Sequence, residues 1–398
     1  MNDSAMVGAR VREARKRIGL TQQELARSSG VSVSLVRKLE QGEYGGVRLE
    51  TVRKLAVVLG LATSALMSQP DAPEPDVGDA GRWEPLRRAI DGEHREQPGG
   101  APTLEGVRSA LAEVMPLLVD GRFTETGTLL PTLLHDADVL VSASPSSARI
   151  TAKSLRAQAR QLAGSLMLHA WQFDAANRAF DMAMGDACDP LTAMSVVEER
   201  CWGLIRQGRL TETRELAFRW AELAEPKMSV ASRDQMAAWG RLLMRASAAA
   251  VRDNRPDEAR DALRLVQMAA ACAGRDYVLS YSPWHVFGPV TASVTAAENA
   301  AKSGQPDVTL AIARQLEGAA LRRVHRFSPS HRLDVAHAHT TLRQYPEAIK
   351  VLQELRQARP QWLPQQRYAR DILAAVITRR RTLTNEMRDL AMFLRLPL

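Results

Sequence analysis

The sequence is poor in cysteine and lacks a long apolar run. Its three cysteines, Cys188, Cys201 and Cys272, form no CxxC pair, which excludes a disulfide framework and a zinc ribbon. We expect reduced core thiols in a cytoplasmic protein. The N-terminus has no apolar signal segment, and the longest nearly apolar run, residues 55–67, is too short to cross a bilayer. The sequence therefore predicts no membrane partner.

Aromatic residues and enzyme motifs are also scarce. Aromatics make up 5% of the 398 residues, against 45% apolar and 25% charged residues, as in a soluble globular chain. Abundant Ala, Leu and Arg favour helices over strands, and the length favours two to three domains. No Walker loop, GxGxxG after a strand, HExxH or GxSxG elbow occurs. We predict an all-α protein with no enzymatic activity, no catalytic residue and no cofactor.

Positive charge is concentrated at one end of the chain. The formal net charge is +8, and residues 1–67 account for +5 of it, with eleven Lys or Arg against six acids. The other 331 residues carry a net charge of only +3. A small module with a cationic excess is typical of proteins that bind a polyanion.

Residues 1–67 have the pattern of five short helices. The sequence Thr21-Gln22-Gln23-Glu24 is a capping box, Gly30 permits a tight turn, and Ser32 is placed to cap a third helix that runs to Gly42. Helices of two to three turns are marginal alone, so they must share a core. Two helices joined by a glycine turn, the second with a basic face, indicate a helix-turn-helix.

The stretches RVREARKRIGLTQQELARSSGVSVSLVRKLEQG and LETVRKLAVVLGL closely resemble the DNA-binding domain of the XRE (Cro/CI-like) repressor family. The resemblance covers about residues 7–67. It implies a five-helix lambda-repressor-like domain with an internal Arg15–Glu40 ion pair and a third helix that enters the major groove. Val33, Ser34, Arg37 and Lys38 would read bases, while Gln22 and Ser32 would hold phosphates.

The chemistry of those side chains agrees with that assignment. Arg37 and Lys38 can donate to guanine O6 and N7, and Val33 can touch a thymine methyl group. The alternative is that Arg37 and Lys38 form only a solvated charged face, as surface charges usually do. The resemblance favours double-stranded operator DNA as the partner.

Residues 68–103 break the helical pattern. SQPDAPEPDVGDAG and EQPGGAP are rich in Pro, Gly and acid, as linkers are, and RWEPLRRAIDG between them allows one helix in which Trp83 and Leu86 dock. We expect a DNA-binding head that is tethered to the rest of the chain and not rigidly fused to it.

Residues 104–398 contain an internal repeat. GRFTET at Gly121 recurs as GRLTET at Gly208, and related segments begin at four more positions, Trp171, Asn254, Gly304 and Arg343, at intervals of 37 to 50 residues. These helical hairpins resemble tetratricopeptide repeats (TPR), best in the second and sixth. The resemblance implies about seven hairpins in an α-solenoid, with Gly164 and Phe180 among the signature positions and Thr126, Thr213 and Thr309 replacing the usual Ala.

The resemblance also places the first helix of each hairpin on a concave inner wall. Such an amphipathic groove, with one exposed Trp, suits a short peptide or an amphipathic small molecule. The alternative is a plain solvated wall. The residues expected to face inward, and therefore to bind the ligand, are Gln158, Gln161, Ser165, Glu198, Trp202, Arg241, Met244, Glu298 and His337.

The stretch HRFSPSHRLDVAHAH has the residue types of a metal site. His331, Asp334 and His337 are three residues apart, so on a helix they would lie along one side and could converge as three ligands. No cysteine joins them, His325 lies further upstream, and His339 would take a repeat-packing position. An ordinary polar helix is favoured, and no metal ion is predicted.

The combination of head and repeats resembles the RRNPP type of bacterial quorum-sensing regulator. It implies a cytoplasmic homodimeric transcription regulator whose repeats sense a peptide or small-molecule signal. Two alternatives stay open: a DNA-bound adaptor whose repeats bind a partner protein, and a constitutive repressor whose repeats only dimerise.

Overall fold

A computed structural model describes residues 3–43, 47–67, 80–93, 101–316, 329–380 and 382–396. As predicted, it is almost wholly α-helical, and its N-terminal domain has five helices. Their bounds are α1 (Asp3–Arg17), α2 (Gln22–Ser29), α3 (Val33–Glu40), α4 (Leu49–Leu59) and α5 (Thr63–Leu66). The predicted capping box on α2 is present, and Ser32 caps α3 by accepting a hydrogen bond from the Leu35 amide. The third helix ends at Glu40, two residues earlier than expected.

The five helices share one apolar core, as short helices require. Val36 and Leu39 of α3 pack with Leu25 of α2 and Leu55 of α4, and all four are fully buried. A Cβ atom on Gly8 would lie 1.8 Å from the Leu39 carbonyl oxygen. Glycine at this position lets α1 cross α3 in backbone contact, which fixes the orientation of α3.

The one helix that the sequence allowed within residues 68–103 is present, and its apolar side chains dock as expected. A 3-10 turn (Ala80–Trp83) leads into α6 (Glu84–Ile90). Trp83 is 3% exposed and Leu86 is 1% exposed. Trp83 packs against Gly127, where a Cβ atom would come within 2.7 Å of the indole ring. This apolar face makes α6 part of the repeat domain's core.

The residues described beyond position 103 form seven helical hairpins, and the repeat pattern predicted about seven. Each pairs an inner-wall helix with a second helix. Their bounds are α7 (Leu104–Val119) with α8 (Phe123–Ala143), α9 (Arg149–His169) with α10 (Phe173–Asp186), α11 (Pro190–Gln207) with α12 (Leu210–Leu223), α13 (Arg233–Arg252) with α14 (Pro256–Ala273), α15 (Pro289–Lys302) with α16 (Pro306–Gln315), α17 (Ser330–Thr341) with α18 (Tyr345–Ala358), and α19 (Arg367–Thr378) with α20 (Asn385–Phe393).

The six segments that echo one another in the sequence are the turns inside the first six hairpins. Each begins with a residue of positive φ: Gly121, Trp171, Gly208, Asn254, Gly304 and Arg343. In each turn the next amide donates to a carbonyl five residues earlier, as Arg122 does to Leu117 and Gln344 to His339. A left-handed residue of this kind satisfies the last carbonyls of a helix and turns the chain sharply. Three of these residues are not glycine, although the conformation favours it.

Close contact within hairpins depends on small side chains. Gly164 of α9 faces the Phe180 ring of α10, and Phe180 is fully buried. Thr126, Thr213 and Thr309 replace the usual Ala without leaving a buried hydroxyl unpaired. Each donates its hydroxyl proton to the backbone carbonyl four residues earlier in the chain, at 2.8 to 3.1 Å. A threonine can therefore stand in for the expected alanine.

The stack of hairpins closes on itself, which the sequence did not predict. The segment after α18 returns to the turn of the first hairpin, where Gln361 Oε1 accepts from the Thr124 amide at 2.8 Å and the buried Trp362 packs on Gly121. The Trp171 indole N–H donates to the Gln365 carbonyl at 3.0 Å. We name these contacts the closure; they join the first two hairpins to the last two.

A two-stranded antiparallel hairpin interrupts the helices between α14 and α15. It pairs β1 (Tyr277–Val278) with β2 (Val286–Phe287), and we name residues 279–285 between the strands the plug loop. Sequence patterns did not predict these strands, because each has only two residues.

The expectation of three core thiols is wrong for two of them. Cys201 is buried, but Cys188 and Cys272 are exposed, and all three are free. Burial raises the pKa of the Cys201 thiol to about 12. No helix in the described ranges is both long enough and apolar enough to span a bilayer.

Replacing Gly164 with Ala tests the close packing of α9 on α10. The new Cβ atom would lie 2.5 Å from the Phe180 ring, so we expect a loss of about 1–3 kcal/mol in the free energy of unfolding. Gly185→Ala is the control, because Gly185 lies in α10 with no atom within 4 Å of the added Cβ, and the gain in helix propensity should stabilise the chain slightly. Denaturant melts of both variants measure the effects; equal midpoints would contradict the packing argument.

Candidate DNA-binding helix and the inner wall of the repeats

The second helix of the helix-turn-helix presents a polar face to solvent. Ser32, Ser34, Arg37 and Lys38 are exposed, as a base-reading face requires. Val33 differs from these four, because it is half-buried and packs on the domain core. Its contribution to such a face is therefore limited to the part of its side chain that solvent can reach.

The predicted Arg15–Glu40 ion pair fixes α3 against α1. Arg15 Nε lies 2.6 Å from Glu40 Oε1, and Nη2 lies 2.8 Å from Oε2. Gln22 Nε2 also donates to Glu40 Oε2 at 2.8 Å. Burial raises the pKa of Glu40, but the hydrogen bonds from Arg15 and Gln22 outweigh it and lower that pKa. Gln22, predicted to hold a phosphate, keeps its second amide N–H for another acceptor.

The head is docked on the repeat domain, contrary to the expectation of a tether alone. Asp253, in the turn between α13 and α14, accepts from the Ser64 amide at 2.8 Å with its carboxylate. The Thr63 hydroxyl donates to the Arg252 carbonyl at 2.9 Å. Arg214 Nη1 lies 3.0 Å from Asp253 Oδ2 and helps to hold that fully buried carboxylate in place. These contacts use α5. Arg48 and Arg53 of the α4 region contact Asp371 and Val251, and Ser34, Arg37 and Lys38 of α3 stay exposed.

Four of the nine side chains predicted to form an open inner wall are buried. Gln161, Ser165, Glu198 and Arg241 are at most 7% exposed. Gln158, Trp202, Met244, Glu298 and His337 are half-buried, so the exposed Trp of the prediction is also wrong. The sequence placed these residues from repeat positions but could not place the segment that covers them.

The plug loop covers the part of the wall that carries Gln161, Ser195, Glu198 and Glu199. Its Ser282 hydroxyl lies 3.1 Å from the Ser195 hydroxyl, which donates to Gln161 at 2.9 Å. His285 Nε2 lies 3.0 Å from Glu199 Oε1. The gap left between the loop, α11 and α13 has a cavity volume of about 0 Å³, whereas ordinary ligand pockets have roughly 300–1,000 Å³.

Buried charges on the inner wall are paired across neighbouring helices. Glu198 accepts from Arg241 at 2.9 Å and from Arg245 at 2.5 Å, and these guanidiniums hold its pKa well below the ordinary value despite burial. Arg252 lies 2.6 Å from Glu298 in the same way. Each pair joins one hairpin to the next, so the wall is held by charge as well as by apolar contacts.

The histidine-rich stretch does not assemble a metal site among the described residues, and His325 lies outside them. Asp334 pairs with Lys302 at 2.9 Å, and His337 lies against Tyr368 with ring centroids 5.5 Å apart. Burial, with Lys302 and Lys54 nearby, lowers the pKa of His337 to about 4.

A different group has the spacing of a cation site: Glu198, Glu199 and His285 bring one ligand atom each within 4.8 Å of one another. Both oxygens of Glu198 already accept hydrogen bonds, one from Arg241 and one from Arg245. These two guanidinium groups supply the positive charge that a bound cation would otherwise supply.

Sequence reasoning missed a cluster of aromatic rings and arginines beside the closure. The Arg206 guanidinium lies 4.3 Å from the Trp171 ring centroid and 5.0 Å from that of Trp202, and Arg367 lies 4.6 Å from the Trp171 ring. His169 stands 4.9 Å from the Trp202 ring, and burial together with Arg206 lowers its pKa to about 3. Trp202 and Arg206 lie one turn apart on α11, but Arg367 comes near Trp171 through the closure, which has no sequence signal.

Replacing Glu40 with Gln tests how firmly α3 is held. The variant leaves Arg15 buried without its counter-charge, which typically costs about 3–5 kcal/mol. Hydrogen exchange of α1–α3 amides in the full chain should therefore accelerate. Because the folded pKa of Glu40 is lowered, its stabilisation is present above the ordinary glutamate value of about 4.3 and is lost as pH falls through the folded pKa. An unchanged exchange rate in E40Q would contradict this.

Replacing Asp253 with Ala tests the docking of the head. The Ser64 amide would lose a charged acceptor, a loss of about 1.5–3 kcal/mol, so its hydrogen exchange should accelerate roughly 10- to 100-fold. Asp257→Ala is the matched control, because Asp257 is 84% exposed and pairs only with Arg260 across one turn of α14. Equal exchange at Ser64 in the two variants would show that the head is held by other contacts.

Comparisons with known proteins bear on the head of the chain. The helix-turn-helix family matches residues 11–66. The curated HTH-type transcriptional regulator SinR of Bacillus licheniformis is 29% identical over 83 residues, which are 21% of this chain and 75% of that protein.

Two solved structures resemble the whole chain loosely. They are PlcR of Bacillus thuringiensis with the peptide PapR7 and DNA, at 10% identity, TM-score 0.36 and coverage of 87% of this chain and 99% of that one, and apo ComR of S. thermophilus, at 12% identity, TM-score 0.25 and coverage of 94% and 99%. Likenesses this loose establish neither a shared ligand nor a shared oligomer. The match over residues 11–66 shows that the N-terminal domain is a helix-turn-helix domain.

Proposed function

We propose that the protein is a sequence-specific, DNA-binding regulator of transcription that acts in the cytoplasm as a homodimer. The observation that carries the proposal is the exposed polar face of α3, with Ser34, Arg37 and Lys38 free of contacts to the repeat domain while α5 is docked. A helix-turn-helix domain whose second helix is exposed in this way can enter the major groove.

The side chains of that face have the chemistry for reading bases. Arg37 and Lys38 would donate to guanine O6 and N7, Ser34 would bond to a neighbouring base, and the exposed part of Val33 would touch a thymine methyl group. Ser32 and the second N–H of Gln22 would hold phosphates beside the first turns of α3 and α2, where the helix dipole favours an anion.

A homodimer follows from the size of the head. One helix-turn-helix domain buries too little surface for tight selective binding, so two heads would occupy half-sites about 34–36 Å apart. The repeat domain, which accounts for most of the chain, would supply the contact between the two copies.

The repeat domain would also bind a signal, either a short peptide or a small molecule, and control operator binding through it. The inner wall is the proposed site, and Trp202 is the largest of its half-buried side chains. A ligand there would either displace the plug loop or bind beside it, and would alter the spacing of the two heads. Coupling of this kind is typically about 1–3 kcal/mol and acts equally in both directions.

Replacing Arg37 and Lys38 together with Ala tests the assignment of α3. Each lost contact to a guanine should cost about 1–3 kcal/mol of discrimination, so the preference for the operator found by genome-wide mapping should disappear in binding assays at fixed salt. Arg260→Ala is the control, since Arg260 is an exposed cation on α14 of the repeat domain. Retained operator preference in the double variant, with α3 still folded, would refute the assignment.

A further inference from the structure

Arg206 has hydrogen-bond donors that no group in the described part of the chain meets. Its Nε and Nη2 atoms are buried and have no partner. Leaving a buried donor unpaired is unfavourable, and more so for a charged group. A site that keeps such donors in place is suited to an acceptor from outside the chain.

We propose that Arg206 and Arg367 form a binding site for the carboxylate group of an organic ligand, beside the Trp171 and Trp202 rings. The identification of this ligand as the regulator's signal rests on the proposed function. The binding of a carboxylate by Arg206 and Arg367 does not.

The ring contacts leave the right atoms available. A guanidinium that lies over an aromatic ring keeps its N–H groups directed outward in its own plane, where they can form two parallel bonds to a carboxylate. The Arg206 guanidinium carbon lies within 5.0 Å of two indole centroids, which holds the group beside both rings. The side chain as a whole is half-buried and therefore not sealed from solvent.

The charges around the cluster favour an anion. Arg367 is exposed and lies over the same Trp171 ring. Partial desolvation and the positive charge of nearby Arg370 both lower the pKa of Arg367. The acid that faces Arg367 is Asp371, which already pairs with Arg48 at 2.5 Å. Burial and the repulsion of Arg367 lower the pKa of Arg206 to about 9. An anion at this position would reduce the repulsion between Arg206 and Arg367 and would accept hydrogen bonds from the unpaired donors of Arg206.

The shape of the site favours a carboxylate over a phosphate. A carboxylate is planar and matches the fork of one guanidinium with two oxygens. The neighbouring Trp171 and Trp202 rings offer apolar surface to the carbon skeleton of an organic acid, and inorganic phosphate has no such skeleton. A free organic acid and the C-terminus of a peptide both carry this group.

Binding of benzoate to the full-length protein tests the site. At constant ionic strength, benzoate should change the tryptophan fluorescence saturably and give a measurable heat in titration calorimetry, while benzamide, which lacks the charge, should give neither. Acetyl-capped dipeptides with free and amidated C-termini form a second pair of probes that separates peptide sources from simple acids.

Three variants make the test specific. Arg206→Gln should weaken benzoate binding about 10-fold or more, because it removes the charge and the fork. Arg367→Gln should weaken it by a smaller factor, and this exposed side chain can be changed without harm to folding. Arg209→Gln is the control in the turn after α11, where Arg209 pairs with Glu212, and should leave binding unchanged.

The proposal is overturned by any of three results: equal responses to benzoate and benzamide, saturation by phosphate without saturation by benzoate, or unchanged benzoate affinity in folded Arg206→Gln and Arg367→Gln variants. Failure of this site is distinguishable from failure of the proposed function, because operator binding by the unliganded protein does not require Arg206.

Discussion

The repeat domain depends on the closure. A row of helical hairpins ordinarily has two free ends and an open inner wall. Here Trp362 and Gln361 bring the segment after the sixth hairpin back to the turn of the first. The plug loop covers part of that wall, so the charged side chains beneath it must be paired or hydrogen-bonded. Glu198 and Glu298 are paired with arginines in this way.

Much of this architecture was predictable because it is local. The capping box at Thr21, the cap at Ser32 and the six echoed turns are determined by residues within a few positions of one another. Gly164 was predictable from its repeat position, since a small residue is needed wherever a ring such as Phe180 crosses its helix. The exposed face of α3 followed from the same short-range patterns.

The remainder could not be predicted, because it depends on contacts between distant segments. Trp171 and Gln365 are 194 residues apart in the chain, and Ser195 and Ser282 are 87 apart. A plug loop with two-residue strands has no periodicity, and nothing in the sequence says that it covers Glu198. The local pattern allowed a helix within residues 80–93, but it could not say where Trp83 docks, because its neighbour Gly127 lies in the first hairpin.

Helix α19 connects the closure to the head. It carries Arg367, which lies over the Trp171 ring, and one turn later Asp371, which pairs with Arg48 at the start of α4. Arg48 also repels Arg367. The two guanidinium groups therefore compete for the carboxylate of Asp371. An anion beside Arg367 would neutralise part of that repulsion and strengthen the contact between α19 and the head. Thermodynamic linkage is reciprocal: if anion binding stabilises the contact between the head and α19, then breaking that contact weakens anion binding by the same coupling free energy.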